Sequence, residues 1–142
     1  PKPDISTKEK FREAMLNAKS VVHATPGKTP SGTHMGKVME QLGIADAMAK
    51  KTTHRPALDG GVQLVAEGQA EIGIYPASEV AGVKGLTVVG PLPAGIELNT
   101  LYGAAATADS AAGDAATAFV KFMAAPENRG VWKHAGFDPP GS

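Results

Sequence analysis

The residues of this chain whose types and spacing best suit chemistry are Ser31, Gly32 and Thr33, at the end of a loop rich in Pro and Gly. The loop stands between an apolar run at residues 20–24 and a helical pattern at residues 35–42. We therefore predict a strand, a turn and the start of a helix. Backbone N–H groups at a helix N-terminus lack partners within the helix and lie at the positive end of its dipole. The loop is therefore a candidate anion site, although an ordinary N-cap explains the same residue types.

Other residues with catalytic or metal-binding capacity lack the spacing that such sites need. The four histidines show no metal-ligand pattern and are expected in solvated or core positions: His23, His34, His54 and His134. Glu67 and Glu71 flank a predicted helix stop at Gly68, so we expect them at the surface. The sequence therefore predicts no catalytic residue, no metal site and no cofactor, and the protein is not expected to be an enzyme.

The composition limits the classes of partner. The 142 residues fit one ordinary domain, and 14 basic residues balance 14 acidic ones. No long-range field then favours nucleic acid, which we do not expect as a partner, and any anion site must be local. The absence of cysteine excludes thiolate chemistry and disulfides, and it leaves the compartment open. No apolar run approaches the roughly 18 residues of a membrane span.

Helical and strand patterns alternate along the chain. Helices are predicted over residues 7–19, 35–42, 44–51, 58–67 and 76–80, then a long helix from 113 and a last helix from Pro126 to near 136. Strands are predicted over residues 20–24, 52–55, 70–75 and 86–90. Residues 100–107 are extended and small, which is typical of a crossover segment. This alternation indicates an α/β fold with a mainly parallel sheet flanked by helices.

Local signals place several of these boundaries. Ser6 and Glu9 have the spacing of a capping box, in which each side chain satisfies a free backbone donor at the helix start. Gly43 is predicted to stop the second helix in the left-handed conformation. In the helix at residues 58–67, Leu58, Val62 and Val65 are expected to face inward.

The order of these elements and several local strings carry a resemblance to a known family. The strings are PSGTH at 30–34, GGVQLVAEGQAEIGI at 60–74, SE at 78–79, VGPLP at 89–93, FMAAPEN at 122–128 and GF at 136–137. Together they resemble the periplasmic solute-binding proteins of ABC transporters, in the molybdate-binding-protein-like branch of the type 2 fold. Members of this family hold the ligand between two α/β lobes.

The resemblance implies a domain organisation. Residues 1–99 would form a ligand-binding lobe with βαβ units, and residues 100–142 a crossover strand with C-terminal helices that pack on the other lobe. Most of that first lobe would be missing, so we interpret the chain as a fragment. Self-association through the surface that the missing lobe leaves is a further expectation.

The resemblance also implies the site residues. One helix N-terminus in the cleft would carry Ser31, Gly32 and Thr33, a second would carry Gly61 and Val62, and Tyr75 would be a side-chain donor. Tyr75 stands one residue before the position that the family's tyrosine takes, which Pro76 occupies here. For the second helix start, the alternative is a flexible turn capped by Asp59.

The function that the resemblance implies is binding of a small anion, a molybdate-like oxyanion or a related solute, for delivery to an ABC importer. The partner would be the transporter's permease and the location the periplasm. We expect the 142-residue chain alone to bind its anion weakly or not at all. The alternative is the ligand-sensing effector domain of a transcription regulator, which shares this lobe architecture.

Overall fold

A computed structural model describes residues 2–139 of the chain. Contacts divide the chain into two compact units, Pro1–Leu98 and Asn99–Ser142. The first unit contains the sheet and the predicted anion site, and the second contains the C-terminal helices.

The first unit alternates helices and strands. In chain order it contains α1 (Lys8–Asn17), β1 (Val21–His23), α2 (Pro30–Gln41), α3 (Ala45–Ala49), β2 (Thr52–His54), a 3-10 turn (Ala57–Asp59), α4 (Gly61–Ala66), β3 (Ile72–Ile74) and α5 (Ala77–Val80). The three strands are parallel and lie in the order β2-β1-β3. The α/β class with a parallel sheet flanked by helices is therefore confirmed.

The central strand β1 is the most buried part of the sheet. Val21 and Val22 are fully buried, and His23 at the end of the strand is 3 % exposed. The helices pack on the sheet through apolar side chains that include Phe11, Met15, Met35, Val38, Ile44 and Met48. Burial of these side chains is the main force that holds the helices to the sheet, because each contributes about 1.5–3 kcal/mol of transfer free energy.

The first helix begins one residue later than the predicted capping box requires. The N-cap is Thr7, whose hydroxyl accepts a hydrogen bond of 3.2 Å from the Lys10 amide. The Ser6 amide instead donates to the Asp4 carboxylate at 3.0 Å. The predicted Ser6 cap is therefore wrong, because Asp4 offers a charged acceptor that holds Ser6 outside the helix.

Two further predictions in this unit are wrong. Leu58 is 88 % exposed, because a 3-10 turn at Ala57–Asp59 precedes α4 and buries Ala57 in its place. Residues 86–90, all of them described, form no strand. Both edges of β1 are already paired with β2 and β3, so the apolar segment at residues 86–90 would have to pair with an outer strand, and it does not.

The second unit contains two helices joined by a tight turn. They are α6 (Gly113–Ala124) and α7 (Arg129–His134), with a 3-10 turn at Pro126–Asn128 between them. The Trp132 indole N–H donates to the Met123 carbonyl at 2.8 Å, which fastens α7 to the end of α6. Residues 100–107 carry no strand and are exposed, so the extended crossover strand predicted there does not form.

Among residues 2–139, no helix is long and apolar enough to cross a bilayer.

Candidate functional site

The predicted site residues of the first unit lie at one edge of the sheet. Parallel strands end at the same edge, and here each strand is followed by a loop and then a helix. The register pairs His23 of β1 with His54 of β2 and with Ile74 of β3. Ligands of open α/β sheets bind outside these carboxyl ends. The geometry therefore brings the starts of α2 and α4 and the side chain of Tyr75 to the same edge.

The first turn of α2 uses two of the three predicted backbone donors internally. The Gly32 amide donates to the Thr29 hydroxyl at 3.0 Å, and the Thr33 amide donates to the Thr29 carbonyl at 2.9 Å. Pro30 has no amide hydrogen. The Ser31 amide has no hydrogen-bond partner within residues 2–139. Ser31 therefore offers the free amide at this helix start.

The hydroxyl of Thr33 holds the loop before α2 in shape. It donates to the Thr29 carbonyl at 2.9 Å and accepts from the Gly27 amide at 3.0 Å. The Thr29 hydroxyl in turn lies 3.3 Å from the Ser31 hydroxyl. The loop is therefore ordered by its own side chains, so that the Ser31 amide is held in place without a ligand.

Gly32, the third residue of α2, and Gly61, the first residue of α4, each lie over the two residues that follow a strand. A Cβ atom on Gly32 would overlap the Thr25 carbonyl, and one on Gly61 would lie 2.6 Å from the Arg55 carbonyl. In both cases the first turn of the helix crosses tightly over the backbone that leaves the strand. Only glycine permits this approach, which brings both helix starts close to the sheet edge.

The start of α4 is not capped by Asp59, which was the predicted alternative to an anion site. Its N-cap is Gly60, with φ +83°, and no side chain caps the helix. Asp59 is therefore not the cap. The Gly61 amide donates to the Pro56 carbonyl at 2.9 Å, and the next residue, Val62, is buried with 2 % exposure.

Tyr75 contacts the second helix start. Its hydroxyl donates to the Arg55 carbonyl at 2.8 Å and lies against Gly61. Burial raises the pKa of Tyr75 to about 12, and the nearby Glu79 carboxylate adds to this while Arg55 opposes it. The hydroxyl hydrogen is thus engaged within the protein, and donation to a solute stays a prediction that requires the bond to exchange.

Arg55 is a residue of this edge that the sequence reasoning missed. It follows β2 directly, and its Nε donates to the Asp59 carbonyl at 2.5 Å. Among residues 2–139 the ion pair that forms is Lys10 with Asp4, so no carboxylate there lies within ion-pair distance of Arg55. The signal available in the sequence was a lone arginine at the end of a strand that leads into a glycine-rich helix start.

A hollow of about 420 Å³ opens beside the first turns of α2. Lys28, Lys37 and His34 line it together with Thr33, while Ser31 and Gly32 do not. The His34 ring is occupied, since its Nε2 lies 2.8 Å from the Ile96 carbonyl. The two lysines make this side of α2 positive.

The histidines at the strand ends are part of the fold. The rings of His23 and His54 meet edge to face, with centroids 4.8 Å apart. Burial lowers the pKa of His23, against the effect of its 2.8 Å hydrogen bond to the Ala24 carbonyl. No group of three potential metal ligands occurs in the described part of the chain.

A sequence model of bacterial extracellular solute-binding proteins matches residues 1–138. The chain therefore belongs to the family of bacterial extracellular solute-binding proteins, whose members bind a small solute. Among curated proteins, aconitate isomerase of Pseudomonas sp is similar, with 28 % identity over 140 residues. The match covers 98 % of this chain and 52 % of the relative, so the chain spans about half the length of that protein. No solved structure gives a significant match.

The relative corrects the expectation that this protein is not an enzyme. A protein named as an isomerase is 28 % identical over nearly the whole chain, which contradicts that expectation. The expectation relied on finding no acid/base pair or nucleophile at suitable spacing in the sequence. That criterion fails for this fold, because groups at the ends of different strands meet in space without any regular spacing.

Proposed function

We propose that this chain supplies part of the binding site for a small anion. The observation that carries the proposal is the placement of Gly32 and Gly61 over the residues that follow β1 and β2, which supports two helix starts over neighbouring strand ends. Helix N-termini attract anions through free amides and the helix dipole. The Ser31 amide lacks an internal partner among the described residues and is the first donor that we assign, and we assign the Val62 amide as the second.

The positive side chains around the edge support a negative solute. Arg55 has no carboxylate within ion-pair distance in the described residues, and Lys28 and Lys37 line the hollow beside α2; the opposing charge near Tyr75 is Glu79. The net charge of the whole chain is zero, so this concentration of positive charge is local. We propose that Ser31, Gly32, Thr33, Gly61, Val62 and Tyr75 form the wall of the site, with Gly32 and Gly61 allowing close approach and Thr33 holding the loop.

The relative supports a particular class of solute. Because that protein is named for aconitate, a tricarboxylate, we propose a small polycarboxylate ahead of a molybdate-like oxyanion. The experiment is an NMR titration of the 15N-labelled 142-residue chain with aconitate, with molybdate and with the uncharged glycerol. We expect the Ser31 and Val62 amide signals to shift with aconitate and to stay fixed with glycerol.

The affinity in that titration is expected to be weak. A charge-assisted hydrogen bond contributes about 1.5–3 kcal/mol, whereas micromolar binding needs about 8 kcal/mol after the costs of association. The few donors at one edge of a sheet therefore predict millimolar binding. Unchanged Ser31 and Val62 signals at saturating concentrations of every anion would refute the proposed site.

The name of the relative favours a second function, isomerisation of an unsaturated tricarboxylate. We propose it for the complete gene product, since this chain spans about half of the relative. The test incubates that product with cis-aconitate and follows the vinyl proton signals of both isomers by NMR. Equilibration of the isomers above the rate of a heat-denatured control is expected, and a rate equal to the control would refute it.

Delivery to an importer is the part of the proposal that the family supports. The family is described as extracellular and solute-binding, and we propose the periplasm and an ABC permease as location and partner. The test deletes the gene and measures uptake of labelled aconitate by whole cells. Reduced uptake that returns with the gene supports delivery, and unchanged uptake contradicts it. The isomerisation assay reports catalysis and the uptake assay reports delivery, so the two functions are tested separately.

A further inference from the structure

We propose that Arg55 binds a carboxylate group of the solute through its two terminal nitrogens and thereby sets a preference for carboxylates over tetrahedral oxyanions. The inference rests on the proposed anion-binding function, and it names the side chain and the chemical class that this function leaves open. Three observations support it: the position of Arg55, the way its guanidinium is held, and the lack of an ion pair to it in residues 2–139.

The position of Arg55 is set by the sheet. Its amide donates to the His23 carbonyl at 3.0 Å, so the backbone still follows the pairing between β2 and β1. Its carbonyl accepts the bond from Tyr75 at 2.8 Å. Both backbone polar groups are therefore fixed at the carboxyl edge, where ligands of such sheets bind.

The guanidinium is held from one side. Nε donates to the Asp59 carbonyl, and the guanidinium carbon lies over Gly60, where a Cβ atom would be 3.2 Å away. The missing side chain of Gly60 leaves room for the flat group. The terminal nitrogens have no hydrogen-bond partner among the described residues. A planar fork with both terminal nitrogens free matches the two oxygens of a carboxylate.

Within the described residues Arg55 forms no ion pair, although the Glu79 carboxylate and Arg55 both act on the pKa of Tyr75. No carboxylate lies within ion-pair distance of it in residues 2–139. A second arginine shows what a purely structural role looks like: Arg12 Nε donates to the Leu42 carbonyl at 3.1 Å at the C-terminal end of α2. That end of the helix lies away from the carboxyl edge of the sheet, because α2 begins there. Arg12 is therefore a matched control: its Nε also donates to a backbone carbonyl, but it lies away from the carboxyl edge of the sheet.

The experiment compares the wild-type chain with Arg55→Gln, Arg55→Lys and Arg12→Gln. Each 15N-labelled chain is titrated by NMR with citrate, as a tricarboxylate, and with sulfate, as a tetrahedral oxyanion. We expect Arg55→Gln to weaken citrate binding at least about tenfold, and Arg55→Lys to weaken it less because the charge remains while the fork is lost. Sulfate binding should change less than citrate binding, and Arg12→Gln should leave both unchanged.

The outcomes separate the two proposals. If wild-type Ser31 signals respond to citrate while Arg55→Gln binds citrate equally well, the role of Arg55 is refuted and the anion site stands. An equal loss of citrate and sulfate binding in Arg55→Gln refutes the carboxylate preference. A wild-type chain that responds to neither anion refutes both proposals. Signals far from the edge, such as that of Met15, report whether each variant is folded.

Discussion

The hydroxyl of Tyr75 donates a 2.8 Å hydrogen bond to the carbonyl of Arg55. Tyr75 follows β3 and Arg55 follows β2, and the central strand β1 lies between these two strands. The bond therefore reaches across the carboxyl end of β1 and joins the two outer loops. It also places the tyrosine hydroxyl against Gly61, so that the second helix start contacts a side chain from the far side of the sheet.

Replacing Tyr75 by Phe tests the contribution of this hydrogen bond to stability. The substitution removes the bond to Arg55 and leaves the ring, so we expect a loss of about 0.5–1.5 kcal/mol in the free energy of unfolding. Urea denaturation of both chains measures the difference. A variant at least as stable as the wild type would show that the bond contributes nothing to the fold.

The same pair of chains gives a prediction on alkaline pH. The pKa of Tyr75 is raised from its ordinary 10.0 to about 12 because burial disfavours the phenolate. The folded state then keeps a proton that the unfolded state releases, so this stability is present below pH 10 and is lost as the pH rises toward 12. Tyr75→Phe should show a smaller loss of stability over that range, and an equal slope in both chains would contradict the burial of the hydroxyl.

Gly32→Ala tests the close approach at the first helix start. A Cβ atom there would meet backbone atoms of the preceding loop, including the Ala24 carbonyl at 2.6 Å. We expect a loss of about 1–3 kcal/mol in unfolding free energy, because fixed backbone must move.

The control for that experiment is Gly36→Ala in the same helix. Its Cβ atom would make an ordinary contact of 3.5 Å with Pro26. Alanine favours helix, so this variant should be more stable than the wild type by about 0.5–1 kcal/mol. Thermal unfolding of both variants measures the difference, and equal effects of the two substitutions would disprove the tight crossing at Gly32.

His23 predicts a dependence on mildly acidic pH. Its pKa is lowered from 6.5, first because burial disfavours the charged ring, and a smaller effect of His54 acts in the same direction. The unfolded state then takes up a proton more readily than the folded state. The contribution of His23 to the free energy of unfolding is therefore fully present above pH 6.5, and it is lost as the pH falls through the lower pKa of the folded state.

The measurement is urea denaturation at about pH 7 and about pH 5 for the wild type, His23→Gln and His134→Asn. His23→Gln should reduce the pH dependence even where it lowers stability overall. His134 is exposed, so His134→Asn should leave the dependence as it is in the wild type. If His23→Gln keeps the full dependence, His23 is not its source.

Exposed aromatic side chains on α6 predict self-association. Phe119 is 58 % exposed and Phe122 is 62 % exposed within the second unit. Apolar side chains grouped on one helix favour association, because pairing removes them from water. We expect light scattering to show concentration-dependent dimers or larger species, and the double variant Phe119→Glu with Phe122→Glu to be monomeric. A monomeric wild type at high concentration would contradict this.

Much of the fold could be predicted because its signals are local. The β-branched run at residues 20–24 predicted the central strand, and Gly43, with φ +64°, ends the second helix as expected. The boundaries that failed depended on competition between neighbours. The Ser6 amide donates to the Asp4 carboxylate, so Ser6 does not cap the helix. The 3-10 turn at Ala57–Asp59 leaves Leu58 exposed, and hydrophobic spacing alone does not predict such a turn.

The sequence by itself determined the alternation of strands and helices and the loop that precedes α2, because hydrophobic period, glycine and proline act over a few residues. Only the tertiary structure decided that Ser31 keeps a free amide, that Tyr75 bonds to Arg55, and that the guanidinium of Arg55 lies over Gly60. The bond between Tyr75 and Arg55 depends on which strand ends become neighbours, whereas the other two features depend on how the loops after β1 and β2 fold on themselves. Parallel strands bring together residues far apart in the chain, so no local pattern encodes the partners that a polar group finds there.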